Sequence, residues 1–254
     1  MKKTPLAALS LALVLAAAAF APALAAQGVT PYVSVLKGEA NFLTDYDPVN
    51  LDGTVNAVIE IPAGTTAKYE TTKDTGMLEL EQKNGKPRFV QYLGYPCNYG
   101  LIPRSMLPKS KGGDGDPLDV CVLGPTVPIG SVVKARPIGI LTLLDNGEID
   151  DKVILVMQSG PFAKVSSLAD LDRKFPGVTT ILQTWFTSYK GYGKDGKLQL
   201  TSPGFKGRAV AIKTIGDAVL DFETSVVTEA DKRPLDEKGN PYLYRWPGAK
   251  NIGE

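Results

Sequence analysis

The chain has 254 residues, with 28 Lys and Arg against 27 Asp and Glu, 43% apolar residues, two cysteines and no histidine. Near-neutral charge gives no basis for gripping nucleic acid or lipid by bulk electrostatics. The lack of His excludes Ser-His-Asp and Cys-His nucleophiles and the usual zinc ligand sets, so any catalysis has to run on carboxylates, Lys, Arg and Tyr.

Residues 1–25 read as a secretory signal peptide: Lys2 and Lys3, an apolar run from Leu6 to Phe20, then Ala23-Leu24-Ala25 with cleavage after Ala25. The run is only just long enough to span a bilayer. The expected mature protein, about 230 residues long, is exported, periplasmic or secreted, with no stable membrane insertion. An exported compartment would permit a bridge between Cys97 and Cys121. Each sits in an apolar stretch, and two small buried hydrophobes is the preferred reading.

Residues 26–50 form an arm rich in turn formers, ahead of a domain expected over 51–225. Strand signals, β-branched or alternating and bounded by Gly, Pro or Asp, fall at 55–61, 66–69, 77–81, 89–93, 120–123, 131–140 and 153–157. Their frequency predicts a β-barrel or sandwich core. Helical periodicity follows later. Ile181, Trp185 and Tyr189, with Leu182 and Phe186, recur at helical spacing and stop at Gly191. A second helix is predicted over 207–223 on a stripe of Ile212, Ile215, Val219 and Phe222, interrupted by Gly216. The tail, 226–254, is rich in Pro, Gly and charge. Gly191 to Lys197 carries a G-x-G-x-x-G string and most of a P-loop, but it follows a helix and Leu198 stands where Ser or Thr is needed, so it reads as a glycine-rich turn.

The densest chemical signal is Asp114-Gly-Asp116-Pro-Leu-Asp119, immediately before the strand at Val120. Clustered carboxylates repel one another unless hard cations hold them, and an oxygen-only ligand set selects magnesium, calcium or manganese. An EF-hand calcium loop fits less well, because Leu118 would occupy its fifth position and no Gly its sixth. A second acidic segment, Asp145-Asn-Gly-Glu148-Ile-Asp150-Asp151-Lys152, could be an ordinary hairpin turn when read alone.

Taken together, these residues resemble the soluble family I inorganic pyrophosphatases. The Asp114–Asp119 run leading into a strand is similar to that family's signature. Around it, in the family's order, stand Glu60 within Val58–Ala63, Lys68-Tyr-Glu70, Arg88, Tyr95-Pro-Cys-Asn-Tyr99-Gly100, the second acidic turn, and Trp185 to Lys190. The resemblance covers about residues 51–223. It implies an α+β fold, a small OB-like five-stranded β-barrel core with flanking helices, and magnesium-dependent hydrolysis of pyrophosphate to two orthophosphates. Asp114, Asp119 and Asp150 would hold the activating Mg2+, Asp119 would bridge to a second ion, and Asp145 would help with a third. Asp116 would be the general base. Lys68, Arg88, Tyr99, Lys152, Tyr189 and Lys190 would grip the phosphates, and Glu60 and Glu70 would line the same cavity.

The chemistry asks for the same residue types independently, since a pyrophosphate transition state spreads negative charge over equatorial oxygens. A homo-oligomer is expected, with pyrophosphate as the small-molecule partner and no nucleic acid. Rival readings are a hydrolase of another phosphoanhydride, a non-catalytic phosphate- or metal-binding module, and an OB-fold oligonucleotide binder. The last wants exposed aromatics and a basic groove, not paired acidic turns.

Overall fold

The structure is a computed structural model that describes residues 33–230, with side chains to 226. The predicted signal peptide at 1–25 and most of the predicted tail lie outside the described residues. The elements are β1 (Val35–Leu36), β2 (Val55–Ile61), β3 (Tyr69–Thr71), β4 (Leu78–Leu80), β5 (Gln82–Lys83), β6 (Lys86–Pro87), β7 (Asn98–Leu101), β8 (Asp119–Leu123), β9 (Val132–Asp145), β10 (Glu148–Ile149), β11 (Lys152–Met157), α1 (Leu168–Lys174), α2 (Val178–Ser188), β12 (Leu200–Gly207) and α3 (Arg208–Ala230).

Strands β9, β11, β8, β7 and β2 are hydrogen-bonded in that order, and β2 pairs back onto the first residues of the 14-residue β9. One long strand therefore serves both sides of a five-stranded, partly open barrel of OB-like character. β12 pairs with the far half of β9, and β1, β4 and β3 form a separate three-stranded sheet. All these pairings are antiparallel except β11 with β8. Strands β2 and β11 are buried along their whole length, as their near-continuous apolar sequence requires.

β8 shows how the alternation divides the interior. Cys121 and Leu123 pack with Tyr95, Tyr99, Trp185 and Phe186, whereas Val120 and Val122 pack with Ala211, Ile215 and Ala218 of α3. The arm also contributes, because Phe42 and Leu43 are buried against Tyr69, Leu78 and Phe222.

The structure corrects several local expectations. Residues 89–93 form no strand and make only an isolated bridge, Phe89 to Ala67. Trp185 Nε1 donates to the Leu93 carbonyl at 3.1 Å instead, using that stretch as a cap for α2. The second helix continues to Ala230, past the end expected at 223. Its buried stripe is Ala211, Ile215, Ala218, Phe222 and Val226, while Ile212 and, on α2, Ile181 face outward. Cys97 and Cys121 are bonded to each other rather than separate buried thiols.

Two glycines behave oppositely, and their substitution tests the architecture. A Cβ at Gly100 would lie 1.8 Å from the Val58 carbonyl oxygen across the β7–β2 pair, whereas a Cβ at Gly216 in α3 would meet nothing within 4 Å. Gly100→Ala should cost on the order of 3 kcal/mol or more, and Gly216→Ala should gain about 0.5–1 kcal/mol. Urea unfolding of the two variants should therefore move in opposite directions.

Candidate active site

The site is built on the parallel pairing of β8 and β11. Their register sets Lys152 opposite Asp119 at the start of both strands, and Asp150 lies two residues earlier. Lys152 Nζ donates to Asp119 Oδ2 and to Asp150 Oδ1, each at 2.5 Å, and its side chain is almost wholly buried. Burial works against the ammonium charge, but the two carboxylates outweigh it and lift the pKa above the ordinary lysine value.

The first acidic segment is held by its own loop. Ser105 Oγ accepts from the Leu118 amide, Gly115 N donates to the Leu107 carbonyl, and Leu107 N donates to the Asp116 carbonyl. Gly115 has φ +84°, a conformation that costs glycine nothing, and it turns the chain so that Asp114 Oδ1 accepts from the Asp116 amide. The second acidic segment is a two-residue hairpin turn, with Asn146 at φ 50° and Gly147 at φ 96° between the paired Asp145 and Glu148. Ile149 N then donates to the Gly112 carbonyl at 2.8 Å. That bond joins the two acidic segments, and neither sequence alone announces it.

Both segments face one cavity of about 520 Å³. It is lined by all eleven residues singled out from the sequence: Asp114, Asp116, Asp119, Asp145, Asp150, Lys68, Arg88, Tyr99, Lys152, Tyr189 and Lys190. Glu60 and Glu70 line it too, as the resemblance implies.

Each basic side chain is already paired with a carboxylate. Lys68 meets Glu70 at 3.0 Å, Arg88 Nη1 meets both Glu81 oxygens at 2.6 and 2.7 Å, Lys190 meets Asp145, and Lys73 meets Asp116. Lys73 and Glu81 are additions from the structure. A lysine three residues after Glu70 and a glutamate seven before Arg88 carry no sequence signal of their own. Tyr99 lies beneath Lys68 and Lys152, whose Nζ atoms are 5.5 and 5.7 Å from its ring centre. Burial pushes the Tyr99 hydroxyl well up, so it remains a neutral donor. Tyr189, the residue after α2, stacks on Trp185 at 4.6 Å between ring centres.

Acid outnumbers base in the lining. The eight carboxylates are Glu60, Glu70, Asp74, Asp114, Asp116, Asp119, Asp145 and Asp150; the five cations are Lys68, Lys73, Arg88, Lys152 and Lys190. The strain shows in the carboxyl groups. Burial, with Asp116, Asp119 and Asp150 adding to it, raises Asp114 to about 6, and burial raises Glu60 to about 7 even though Thr71 N donates to it at 2.7 Å. An all-oxygen, anion-rich set of this kind fits hard divalent cations. Among the described residues no three carboxylates are gathered as a ready coordination shell. Lys152 stands between Asp119 and Asp150 and occupies one oxygen of each.

The structure thus defines a mixed barrel that carries an anion-rich cavity ringed by paired cations. The chain belongs to the inorganic pyrophosphatase family, whose model matches residues 57–223. The mitochondrial inorganic pyrophosphatase of Saccharomyces cerevisiae is 36% identical over 64% of this chain and 60% of its own length, and the inorganic pyrophosphatase of Yarrowia lipolytica is 34% identical over 73% and 69%. The chain thus spans about 60–70% of these relatives. The solved inorganic pyrophosphatase of Schistosoma japonicum superposes with a TM-score of 0.67 at 30% identity, covering 73% of this chain and 72% of that one.

These comparisons overturn the expected exported location. Curated relatives named for a compartment include a mitochondrial one, in yeast, and a chloroplastic one, in Arabidopsis thaliana, and neither name denotes an exported protein.

Magnesium at one hundred times its dissociation constant should stabilise the protein by about 2.7 kcal/mol. Thermal melts should show that gain in the parent and little of it in Asp119→Asn. Equal gains in both would remove Asp119 from the ligand set.

Proposed function

We propose that the chain hydrolyses inorganic pyrophosphate to two orthophosphates with magnesium as cofactor. One observation carries the reading: two acidic segments and five cations, distant in sequence, meet in one cavity whose carboxylates exceed its cations by eight to five. A bare polyanion would be repelled there, while the same polyanion arriving with divalent cations would not. The family's relatives bear the same activity in their names.

Asp114, Asp119, Asp150 and Asp145 would hold magnesium, which supplies charge neutralisation and a water of lowered pKa. Asp116 would accept that water's proton. It suits this role because its side chain is half exposed to the cavity and its only described ion pair is with the movable Lys73. Lys152 and Lys190 would turn from Asp119, Asp150 and Asp145 to phosphate oxygens as the metal takes those carboxylates over, and Lys68 and Lys73 would reach phosphate by leaving Glu70 and Asp116. Arg88 would bring a fork able to bind phosphate bidentately. Tyr99 and Tyr189 would donate without adding charge.

The lining offers no platform for a nucleobase. Its two rings are engaged, Tyr99 beneath lysines and Tyr189 on Trp185. Pyrophosphate should therefore exceed ADP, ATP and long polyphosphate in kcat/KM by orders of magnitude, and activity should vanish in excess chelator. A nucleotide or polyphosphate matching pyrophosphate would establish a different phosphoanhydride as the substrate.

The roles of two neighbouring aspartates are separable. Asp116→Asn should lower kcat by about 10² to 10⁴ while KM changes little. Asp119→Asn should also raise the magnesium concentration needed for half-maximal rate. Identical magnesium dependence in both variants and the parent would defeat this division.

A further inference from the structure

The Cys97–Cys121 bridge closes a 24-residue separation, with 5.6 Å between Cα atoms. It links the residue just before β7 to the middle of β8. In the antiparallel register of those strands, Tyr99 lies opposite Cys121 and Leu101 opposite Asp119. Side chains two apart on a strand share a face. Cys97 therefore shares a face with Tyr99, and Cys121 with Asp119. The packing agrees, since Cys97, Tyr99 and Cys121 belong to one interior cluster and Val120 and Val122 to the other. Cys121 thus lies across from Tyr99, and each cysteine is two residues from one that lines the cavity.

The ladder that carries Tyr99 and Asp119 is only four residue pairs long. Its other face is clamped by the fully buried Asn98, whose Nδ2 donates to the Pro125 carbonyl at 2.9 Å and whose Oδ1 accepts from Ala63 N and Val127 N. On the site's own face the side chains of Tyr99 and Asp119 are hydrogen-bonded to each other across β7 and β8, and the covalent bridge adds a link there that does not depend on a cavity-lining residue. Both cysteines are buried, and Cys97 borders a second cavity beside α2. This cavity of about 150 Å³ is also lined by Leu123, Phe162 and Leu182 and by Ile181, which is exposed.

We propose that the Cys97–Cys121 bridge is a positioning element of the site, holding Tyr99 and Asp119 in register, so that its reduction weakens magnesium binding without unfolding the protein. The inference rests on the pyrophosphatase reading. Reduction by a dithiol proceeds through attack of one thiolate on a bridge sulfur, breaking the S–S bond and forming a mixed disulfide. The second thiolate of the reagent then attacks the reagent's first sulfur, breaking the mixed disulfide and releasing the other cysteine as its thiolate. Two electrons and two protons pass to the protein, leaving the Cys97 and Cys121 thiols, and the reagent departs as a cyclic disulfide.

The test compares the oxidised protein with protein reduced by dithiothreitol and then freed of reagent under nitrogen. Thiols are counted in denaturant, secondary structure is followed by circular dichroism, and magnesium binding is measured by calorimetry without substrate. The expected result is no thiol before reduction, two after, an unchanged far-ultraviolet spectrum, and a magnesium dissociation constant raised about tenfold. The half-saturating magnesium for pyrophosphate hydrolysis should rise in parallel.

Cys97→Ala/Cys121→Ala should behave as the reduced protein does, with or without dithiol. Val122→Ala, a core truncation on the opposite face of β8, should lower stability and leave magnesium affinity unchanged. Two free thiols in the untreated protein, unchanged magnesium affinity after reduction, collapse of the spectrum on reduction, or an equal loss of affinity in Val122→Ala would each overturn the proposal. Oxidised protein that binds magnesium but leaves pyrophosphate intact would instead count against the proposed activity.

Discussion

The buried contact of Lys152 with Asp119 and Asp150 fixes the site, and it exists because β11 runs parallel to β8 in a barrel whose other neighbouring strands run antiparallel. Only a parallel pair brings the first residues of two strands to the same end of the barrel, so three charges from residues 119, 150 and 152 share one point. Burying an ion costs several kcal/mol, and well-packed apolar residues often serve stability as well or better. Such a triad is weak evidence of a device for stability. Its position at the mouth of an acidic cavity accounts for it better.

The same logic extends around the cavity, where Lys68, Lys73, Arg88 and Lys190 each lie against a carboxylate. These pairs offset part of the acidic excess, which lets so many charges approach one another in the folded chain. A ligand that brings both cations and phosphates can exchange both halves of every pair at once. A ligand that brings only one kind of charge leaves the other half unpaired. The pairing therefore favours a metal-complexed anion over either component alone.

Much of this was legible in the sequence for a physical reason: chemistry that needs many carboxylates leaves them in short runs. Asp114 to Asp119 announces an acidic loop, and the strands at 55–61, 120–123 and 153–157 follow from their β-branched residues. Long-range pairing was not legible. β7 reads Asn-Tyr-Gly-Leu, and its Gly100, which looks like a breaker, is what allows the backbone to approach β2. β12 contains Pro203 and Gly204, and its ladder shifts register there. α1 has seven residues, too few for a period to show, and Ser167 marks its start only through a 3.1 Å cap on Asp170 N. Ile181 and Ile212 match a helical stripe yet face outward, because the cores under α2 and α3 are filled by Trp185, Phe186, Ile215 and Phe222. The cysteine pairing depended on a strand register that composition does not contain.

The two kinds of charge also differ in how they are mounted. Asp119 begins a strand, Asp114 and Asp116 ride a loop closed by Ser105, Leu107 and Gly115, and Asp145 sits in a two-residue turn, so short side chains project from backbone that is already hydrogen-bonded. The loop is braced from behind as well, by Met106 N donating to the Ala218 carbonyl and by Lys111 on Asp221, both in α3. The cations stand on long stems with several rotatable bonds. On the proposed function, fixed anions and movable cations suit a site that would place metals closely while its substrate arrives, reacts and leaves as two separate ions. Exchange of partners then needs only rotamer changes in the lysines, on a timescale far shorter than that of any rearrangement of the barrel.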